Sequence, residues 1–282
     1  MNLLTDTSRE CEQVLIDVYR RMPLGQKWLM LGELFQDAKT LHAAGVRFRN
    51  PKATSEEIHS KWLELHFRSA IPPINRRPAE NPAMENLHVL REVVAIFSSL
   101  DIPYALGGSM ASSVFGVDRY TRDADITVEP FLGKESQLVA SFGDEYYLSL
   151  PAVEEAVRDR STFNIVNTST GFKVDVFVRK IHQFEESAMA RRVRLELPDL
   201  PSQPLFFHSP EDVILFKLHW YRKGNEISDQ QWSDVLGILK VQGNQLEFDY
   251  LERWAMELGI ADLLARARQQ AGPEVGNDPM PR

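Results

Sequence analysis

Residues 104–126 read YALGGSMASSVFGVDRYTRDADI, and this stretch decides the fold. Its first three residues are apolar, as in a short buried strand, and Gly107-Gly108 follow as a turn. Met110–Phe115 then predict a short helix, for which Ser109 is the expected N-cap. Glycine lets a backbone pass close to a phosphate, and a helix N-terminus offers unpaired N–H groups. The stretch therefore predicts a strand, a turn suited to a phosphate, and a helix.

Two carboxylates follow the predicted helix at a spacing of two. Asp123, Asp125 and Thr127 alternate with small or branched residues, which predicts a strand with both acids on one face. Ionised carboxylates this close repel each other, and a divalent cation removes the conflict. Magnesium, or manganese in its place, is the expected ion, because it favours carboxylate and phosphate oxygens.

A third acid stands on a later strand. The segment FKVDVFV, residues 172–178, alternates apolar residues with Asp175, and residues 162–166 predict its hairpin partner across a turn at 168–171. Three carboxylates on adjacent strands can hold two metal ions about 3.5–4 Å apart, a spacing used in phosphoryl-type displacement. Asp175 is also a candidate base for an attacking hydroxyl. A glycine pair or an Asp-x-Asp motif alone would not be specific for a nucleotide site. The prediction depends on finding the glycine turn, the two aspartates and the later strand aspartate in this order.

The glycine-serine turn, the run RYTRDADI at 119–126 and the later strand aspartate resemble the DNA polymerase beta-type nucleotidyltransferase superfamily. Two further segments, SPED at 209–212 leading to KLHWY at 217–221, and QWSDVL at 231–236, are similar to its bacterial AbiEii-like branch. The resemblance covers about residues 84–268. Members of this superfamily modify nucleic acids, proteins or small molecules, so the resemblance does not identify the acceptor.

The resemblance implies a role for each matching residue. Asp123 and Asp125 would bind metal, and Asp175 would complete the acidic triad. The implied nucleotide-binding residues are Gly107, Gly108, Ser109, Arg122 and Lys217. Arg119 and Arg122 are each compatible with a phosphate contact or with pairing to the acidic cluster.

Lys217 is unusual even without the resemblance. It lies in VILFKL, residues 213–218, a predicted helix that is apolar on nearly every face, where an ammonium needs a counter-charge or a phosphate. Asp234, on the next predicted helix, is the expected partner. The alternative is a surface lysine whose stem lies along apolar side chains.

The pattern along the chain predicts an α+β (mixed α/β) fold: a small mixed β-sheet core flanked by helices, with helical regions at both ends. We expect a helical N-terminal module over residues 1–70, with helices near 8–22, 25–44 and 55–68, and a linker over 71–83, where four prolines oppose regular structure. A nucleotidyltransferase core would cover 84–207, a C-terminal helical subdomain 208–271, and a disordered tail 272–282. Residues 54–57 predict a capping box for the third helix, and Ser209 and Ser228 are the expected N-caps of two helices in the C-terminal subdomain. Residues 41–58 resemble small helical proteins that accompany such transferases, which suggests a fused partner module.

Composition narrows the class of protein. The 282 residues are 43% hydrophobic, and no apolar run approaches the roughly 20 residues that span a bilayer. The N-terminus shows no export signal, and Cys11 is the only cysteine, so we expect a cytoplasmic protein without a disulfide. Net charge is −8, with 12 basic and 10 acidic residues before residue 84, and 20 and 30 from there on.

That acidity does not favour non-specific binding of long nucleic acid, which depends on lysine and arginine. Basic residues do cluster around the third-aspartate hairpin, and they are compatible with guiding a tRNA-like acceptor or with an ordinary solvated surface. They are Arg158, Arg160, Lys173, Arg179, Lys180, Arg191, Arg192 and Arg194.

These observations predict a metal-dependent enzyme that moves the NMP group of an NTP to an acceptor and releases pyrophosphate. The resemblance to a toxin-type branch makes RNA, such as tRNA, or protein the first expected acceptor, with an antitoxin-like partner or the fused module as its regulator. A small cationic molecule of the aminoglycoside type is the first alternative, favoured by the acidic second part of the chain. A non-catalytic nucleotide-binding or interaction module is the second, and the intact aspartates oppose it.

Overall fold

The computed structural model describes residues 9–66, 85–121, 123–197 and 200–272. The chain forms two compact units. The first unit comprises Met1–Trp28, Leu106–Asp118 and His182–Arg282, and the second comprises Leu29–Ala105 and Arg119–Ile181. The domain boundaries expected from the sequence stay a prediction.

The described residues contain twelve α-helices and seven strands. The helices are α1 (Arg9–Arg21), α2 (Leu24–Arg49), α3 (Ser55–His66), α4 (Glu85–Ser99), α5 (Gly108–Phe115), α6 (Glu135–Ala140), α7 (Leu150–Asp159), α8 (Gln183–Ala190), α9 (Pro210–Lys223), α10 (Asp229–Gln242), α11 (Phe248–Glu257) and α12 (Ala261–Ala271). The strands are β1 (Tyr104–Leu106), β2 (Asp123–Val128), β3 (Tyr146–Tyr147), β4 (Thr162–Asn167), β5 (Phe172–Val178), β6 (Val193–Leu197) and β7 (Leu200–Phe207). The predicted mixed α/β fold is confirmed.

The strands form one mixed sheet in the order β3-β4-β5-β2-β1-β7-β6. Strand β2 runs parallel to β5, whereas β4 and β5 form the antiparallel hairpin that the sequence predicts. Alternate residues of β2 and β5 are buried, and the residues between them are only partly buried. This period of two places the branched residues in the core and the acids on the opposite face.

The first unit is built around long helices beside β7. Helix α9 begins at Ser209, whose side chain accepts a hydrogen bond from the Asp212 amide, and α10 begins in the same way at Ser228. Both predicted N-caps are confirmed. Phe207 at the end of β7 packs edge-on against Trp28 and Phe115, with ring centroids 6.0 and 6.1 Å away.

In the second unit, α3 begins with the capping box that the sequence predicts. The Glu57 amide donates to Thr54 Oγ1 over 3.2 Å, and the Thr54 amide donates to Glu57 Oε2 over 2.9 Å. Two orphan donors of the first turn are satisfied by this exchange. The core of the unit includes the fully buried Leu90, Phe97, Ile126 and Val174.

Several details differ from the sequence predictions. Helix α5 begins at Gly108 with Gly107 at its N-cap position and no side-chain capping bond, so the prediction of Ser109 as N-cap is wrong. Helix α2 continues to Arg49, beyond the expected end at residue 44. The predicted linker at 71–83 and all but the first residue of the predicted tail at 272–282 lie outside the described residues.

No helix in the described part of the chain combines the length and apolar character that crossing a membrane requires.

Candidate functional site: an aspartate-lysine face on two parallel strands

Strands β2 and β5 bring the three predicted aspartates to one face of the second unit. The parallel register pairs Asp125 with Asp175 and Asp123 with Lys173. Residues paired across strands on the same face lie within reach of one another. All four side chains are partly buried, whereas their chain neighbours Ala124 and Val174 are fully buried. The pairing of strands thus converts three acids that are distant in sequence into one cluster.

Both oxygens of Asp175 have a donor. Lys173 Nζ lies 2.6 Å from Asp175 Oδ2, and the Asn164 amide nitrogen donates to Asp175 Oδ1. Asn164 is positioned for this contact because the antiparallel register of β4 and β5 pairs it with Asp175. Lys173 Nζ is also 4.0 Å from Asp123 Oδ2. One ammonium therefore neutralises part of the charge of two aspartates.

Asp123 is further fixed at the start of β2. Thr121 is buried, and its hydroxyl donates to the Asp123 carbonyl over 3.2 Å, with Asp123 Oδ1 3.4 Å away. Arg119 donates to the neighbouring Tyr120 carbonyl over 3.1 Å. Arg122, the other arginine of the motif, lies outside the described residues.

The donor set has the chemistry that magnesium or manganese prefers, since three carboxylates supply hard oxygen ligands. Among the described residues, however, no group of three or more His, Cys, Asp or Glu side chains is spaced so as to hold a metal ion. The positive charge beside Asp175 is the Lys173 ammonium. The aspartates therefore fit a divalent cation in the kind of ligand they offer, and Lys173 is the counter-charge recorded for Asp123 and Asp175.

The glycine turn belongs to the first unit. Gly108 has φ +52°, in the left-handed region that glycine adopts without strain. The Gly107 carbonyl accepts the Ala111 amide over 3.1 Å, and the Gly108 carbonyl accepts the Ser112 hydroxyl over 2.8 Å. Just before the turn, the Leu106 carbonyl accepts the His208 amide over 2.9 Å, which ties the end of β1 to the end of β7. The predicted strand-turn-helix is confirmed, and Ser109 lies in the first turn of α5.

Lys217 and Asp234 form the ion pair that the sequence predicts. Lys217 Nζ lies 2.7 Å from Asp234 Oδ2, and the two residues are only 8% and 7% exposed. A surface lysine would be far more exposed, so that alternative is excluded. The pair joins α9 to α10 inside the first unit.

A buried network around Asp212 was not expected from the sequence. Asp212 is fully buried, its Oδ2 accepts the Ser209 hydroxyl over 2.8 Å, and its Oδ1 accepts the Tyr250 hydroxyl over 2.7 Å. Burial raises the pKa of Asp212 to about 6, and the two hydroxyl donors limit the rise. Four residues earlier in the chain, burial lowers the pKa of His208 to about 4. The Ser-x-x-Asp spacing at 209–212 was a signal for the cap, but nothing in the sequence indicated Tyr250.

Four of the basic side chains that cluster in sequence around the hairpin form ion pairs with acidic side chains of their own unit. Arg179 pairs with Glu129 over 2.8 Å, and Arg158 with Asp159 over 2.8 Å. Arg191 pairs with Glu247 over 2.9 Å and lies over the Tyr250 ring. Arg194 pairs with Glu196 over 3.2 Å. Such pairing favours the solvated-surface interpretation over a surface for nucleic acid.

No protein-family model matches the chain. No curated protein matches it either. Among solved structures, it is similar to an antigenic nucleotidyltransferase-like protein from Paracoccidioides brasiliensis, with 18% identity over 66% of this chain and 93% of that one and a TM-score of 0.42. It is similar to the antibiotic-resistance factor ANT(2'')-Ia, with 13% identity over 66% and 98% and a TM-score of 0.38. JHP933 from Helicobacter pylori shows 14% identity over 68% and 96%, with a TM-score of 0.29.

Proposed function

We propose that the protein transfers the NMP group of a nucleoside triphosphate to an acceptor in a reaction that depends on magnesium or manganese. The observation that carries the proposal is the in-register pairing of Asp125 with Asp175, with Asp123 on the same face of β2. A solvated strand surface has no need for three acids on one face, because close carboxylates repel one another.

In the proposed reaction, an acceptor oxygen forms a bond to the α-phosphorus. The bond from that phosphorus to the oxygen bridging to the β-phosphate breaks, pyrophosphate leaves, and the acceptor proton passes to a base. Bound divalent cations would supply positive charge for the triphosphate and for the attacking and leaving oxygens. Asp123 and Asp125 would hold them, and Asp175 would complete the set or take up the acceptor proton.

Residues of the first unit have proposed roles of their own. The left-handed Gly108 keeps the turn free of a Cβ, which supports a backbone contact from Gly107-Gly108-Ser109 to phosphate. Lys217 is proposed as a second phosphate contact, oriented by Asp234. Arg119 and Arg122 are proposed as supporting contacts, ranked below the aspartates.

RNA or protein is the first proposed acceptor, in a toxin-like role, with an antitoxin-like partner or residues 1–70 as a regulatory module. A small cationic molecule of the aminoglycoside type is the second candidate. Two observations favour it. Residues 84–282 carry ten more acidic than basic residues. Four arginines of this part form ion pairs with acidic side chains: Arg158, Arg179, Arg191 and Arg194. Such an acidic body attracts a cation more readily than a polyanion.

The test is incubation of the protein with each labelled NTP and magnesium, together with total RNA, total protein or a panel of aminoglycosides. We expect label in one acceptor fraction, and no label with Asp123→Asn. The matched control is Asp144→Asn, which makes the same change of charge at an exposed position outside the cluster. Equal transfer by wild type and Asp123→Asn would refute the assignment.

A further inference from the structure

The lysine in the aspartate face is the feature that neither the expected triad nor the proposed reaction uses. Lys173 lies on β5 two residues before Asp175, so strand alternation places both side chains on the same face. Its register partner on β2 is Asp123. The sequence contained this signal, because a residue two positions before a strand-borne acid must share its face.

We propose that Lys173 is a built-in counter-cation, which holds the aspartates together without metal and which a divalent cation must displace from Asp175. The inference rests on the proposed function, since it concerns how the same site takes up its cation. The charges and distances support it. The ammonium lies 2.6 Å from Asp175 Oδ2 and 4.0 Å from Asp123 Oδ2. It therefore lies between the aspartate of β5 and the first aspartate of β2.

Both carboxylate oxygens of Asp175 already have a donor, because Asn164 donates to Oδ1 and Lys173 donates to Oδ2. A metal that binds Asp175 through Oδ2 therefore competes directly with the ammonium. Two like charges also repel, so an ammonium and a metal ion beside the same carboxylate weaken each other's binding.

Lys173 can leave without disturbing the fold. Its side chain is 33% exposed, and its flexible four-carbon stem can turn the ammonium toward water. Asn164 is exposed as well, but its side chain is short and uncharged and the register of β4 and β5 places it opposite Asp175. The charged donor that a metal ion would displace from Asp175 is therefore Lys173.

The variant Lys173→Met tests the proposal, because it keeps the length of the stem and removes the charge. By calorimetric titration with Mn²⁺ alone, we expect Lys173→Met to bind roughly fivefold more tightly than wild type, the equilibrium equivalent of about 1 kcal/mol for a partly exposed pair. Lys173→Arg should stay close to wild type, because it keeps the charge. Lys180→Met is the control, since it makes the same charge change at an exposed position beyond the end of β5.

Thermal unfolding supplies a readout that does not depend on activity. Without metal, Lys173→Met leaves Asp123 and Asp175 without this ammonium, so its melting temperature should fall below those of Lys173→Arg and Lys180→Met. Saturating Mn²⁺ should remove that difference, because the metal replaces the missing charge. A purely structural role for the lysine would lower the melting temperature equally with and without Mn²⁺.

The outcomes separate this inference from the proposed function. Equal Mn²⁺ affinity of wild type and Lys173→Met, with binding lost in Asp125→Asn, would overturn the counter-cation and leave the metal site standing. Weaker Mn²⁺ binding by Lys173→Met would also overturn it. No Mn²⁺ binding by any of the variants or by wild type would overturn both.

Discussion

At the residue scale, the chemistry depends on which charges are paired and which partner can be exchanged. Lys217 with Asp234 and Lys173 with Asp175 are both lysine-aspartate pairs at hydrogen-bonding distance. They differ in burial, since the Lys217 side chain is 9% exposed and the Lys173 side chain is 33% exposed. Separating a buried pair leaves a charge without water, whereas a partly exposed lysine can be hydrated. The first pair is therefore fixed, and the second can open.

Replacing Lys217 by Met should destabilise the protein by about 3–5 kcal/mol, because Asp234 would remain buried without its neutralising ammonium. The double variant Lys217→Met/Asp234→Leu should recover much of that loss, since it removes both charges. Urea unfolding followed by circular dichroism measures both effects. If the double variant were as unstable as the sum of the two single variants, the pair would not be the reason for the loss.

At the scale of elements, the glycine at the end of α5 allows the close approach of α10. A Cβ placed on Gly116 would lie 2.9 Å from both the Ile238 amide nitrogen and the Ser112 carbonyl oxygen. Both are backbone atoms, so neither can move aside without moving a helix. A Cβ placed on Gly237, in α10, would lie 3.5 Å from the Val117 amide nitrogen. This distance is an ordinary van der Waals contact.

Gly116→Ala should therefore cost about 1–3 kcal/mol of unfolding free energy through overpacking. Gly237→Ala is the matched comparison, and it should be neutral or stabilising by up to about 1 kcal/mol, because alanine favours a helix. Thermal and urea unfolding of the two variants provide the test. Equal stability of the two variants would mean that α5 and α10 are not packed as closely as described.

The elements also show how much the sequence could predict. The period of two in Asp123–Val128 and Phe172–Val178 located both strands, and Ser209, Ser228 and Thr54 located helix starts. Ser109 was wrongly predicted as the N-cap. The helix already begins at Gly108, so Gly107 occupies the N-cap position and Ser109 lies in the first turn.

Long-range partners were harder to predict. Lys217 and Asp234 could be paired because both lie on apolar helices, where a charge needs a partner. Asp212 with Tyr250, and Asn164 with Asp175, depend on a packing and a register that no local pattern specifies. The role of Lys173 required the pairing of β2 with β5.

At the scale of the whole molecule, two buried residues, Asp212 and His208, have opposite effects on stability between pH 4 and pH 6. The pKa of Asp212 is raised from 3.8 to about 6, so its contribution to stability is full at low pH and is lost as pH rises through 6. The pKa of His208 is lowered from 6.5 to about 4, so its contribution is full above 6.5 and is lost as pH falls through 4. Each shift corresponds to about 3 kcal/mol, so the two largely cancel.

Single variants should reveal each contribution. Relative to wild type, Asp212→Asn should make the unfolding free energy rise more steeply with pH between about 4 and 6.5, because the lowered pKa of His208 is then no longer offset by the raised pKa of Asp212. His208→Gln should shift the slope in the opposite direction between about 4 and 6, because the raised pKa of Asp212 is then no longer offset. Urea unfolding across this pH range measures both slopes, and two variants with the slope of wild type would contradict the assignment.

The central claim is that the aspartate face of β2 and β5 binds a nucleotide through a divalent cation. Calorimetric titration of a non-hydrolysable NTP into wild type and Asp125→Asn, with Mg²⁺ and then with EDTA, tests it most directly. We expect wild type to bind the nucleotide only with Mg²⁺. Asp125→Asn should bind it roughly 10- to 100-fold more weakly, because losing even a residue that hydrogen-bonds to a metal ligand has an effect of that size. Asp144→Asn should match wild type. Binding that is unchanged by EDTA and by Asp125→Asn would contradict the account.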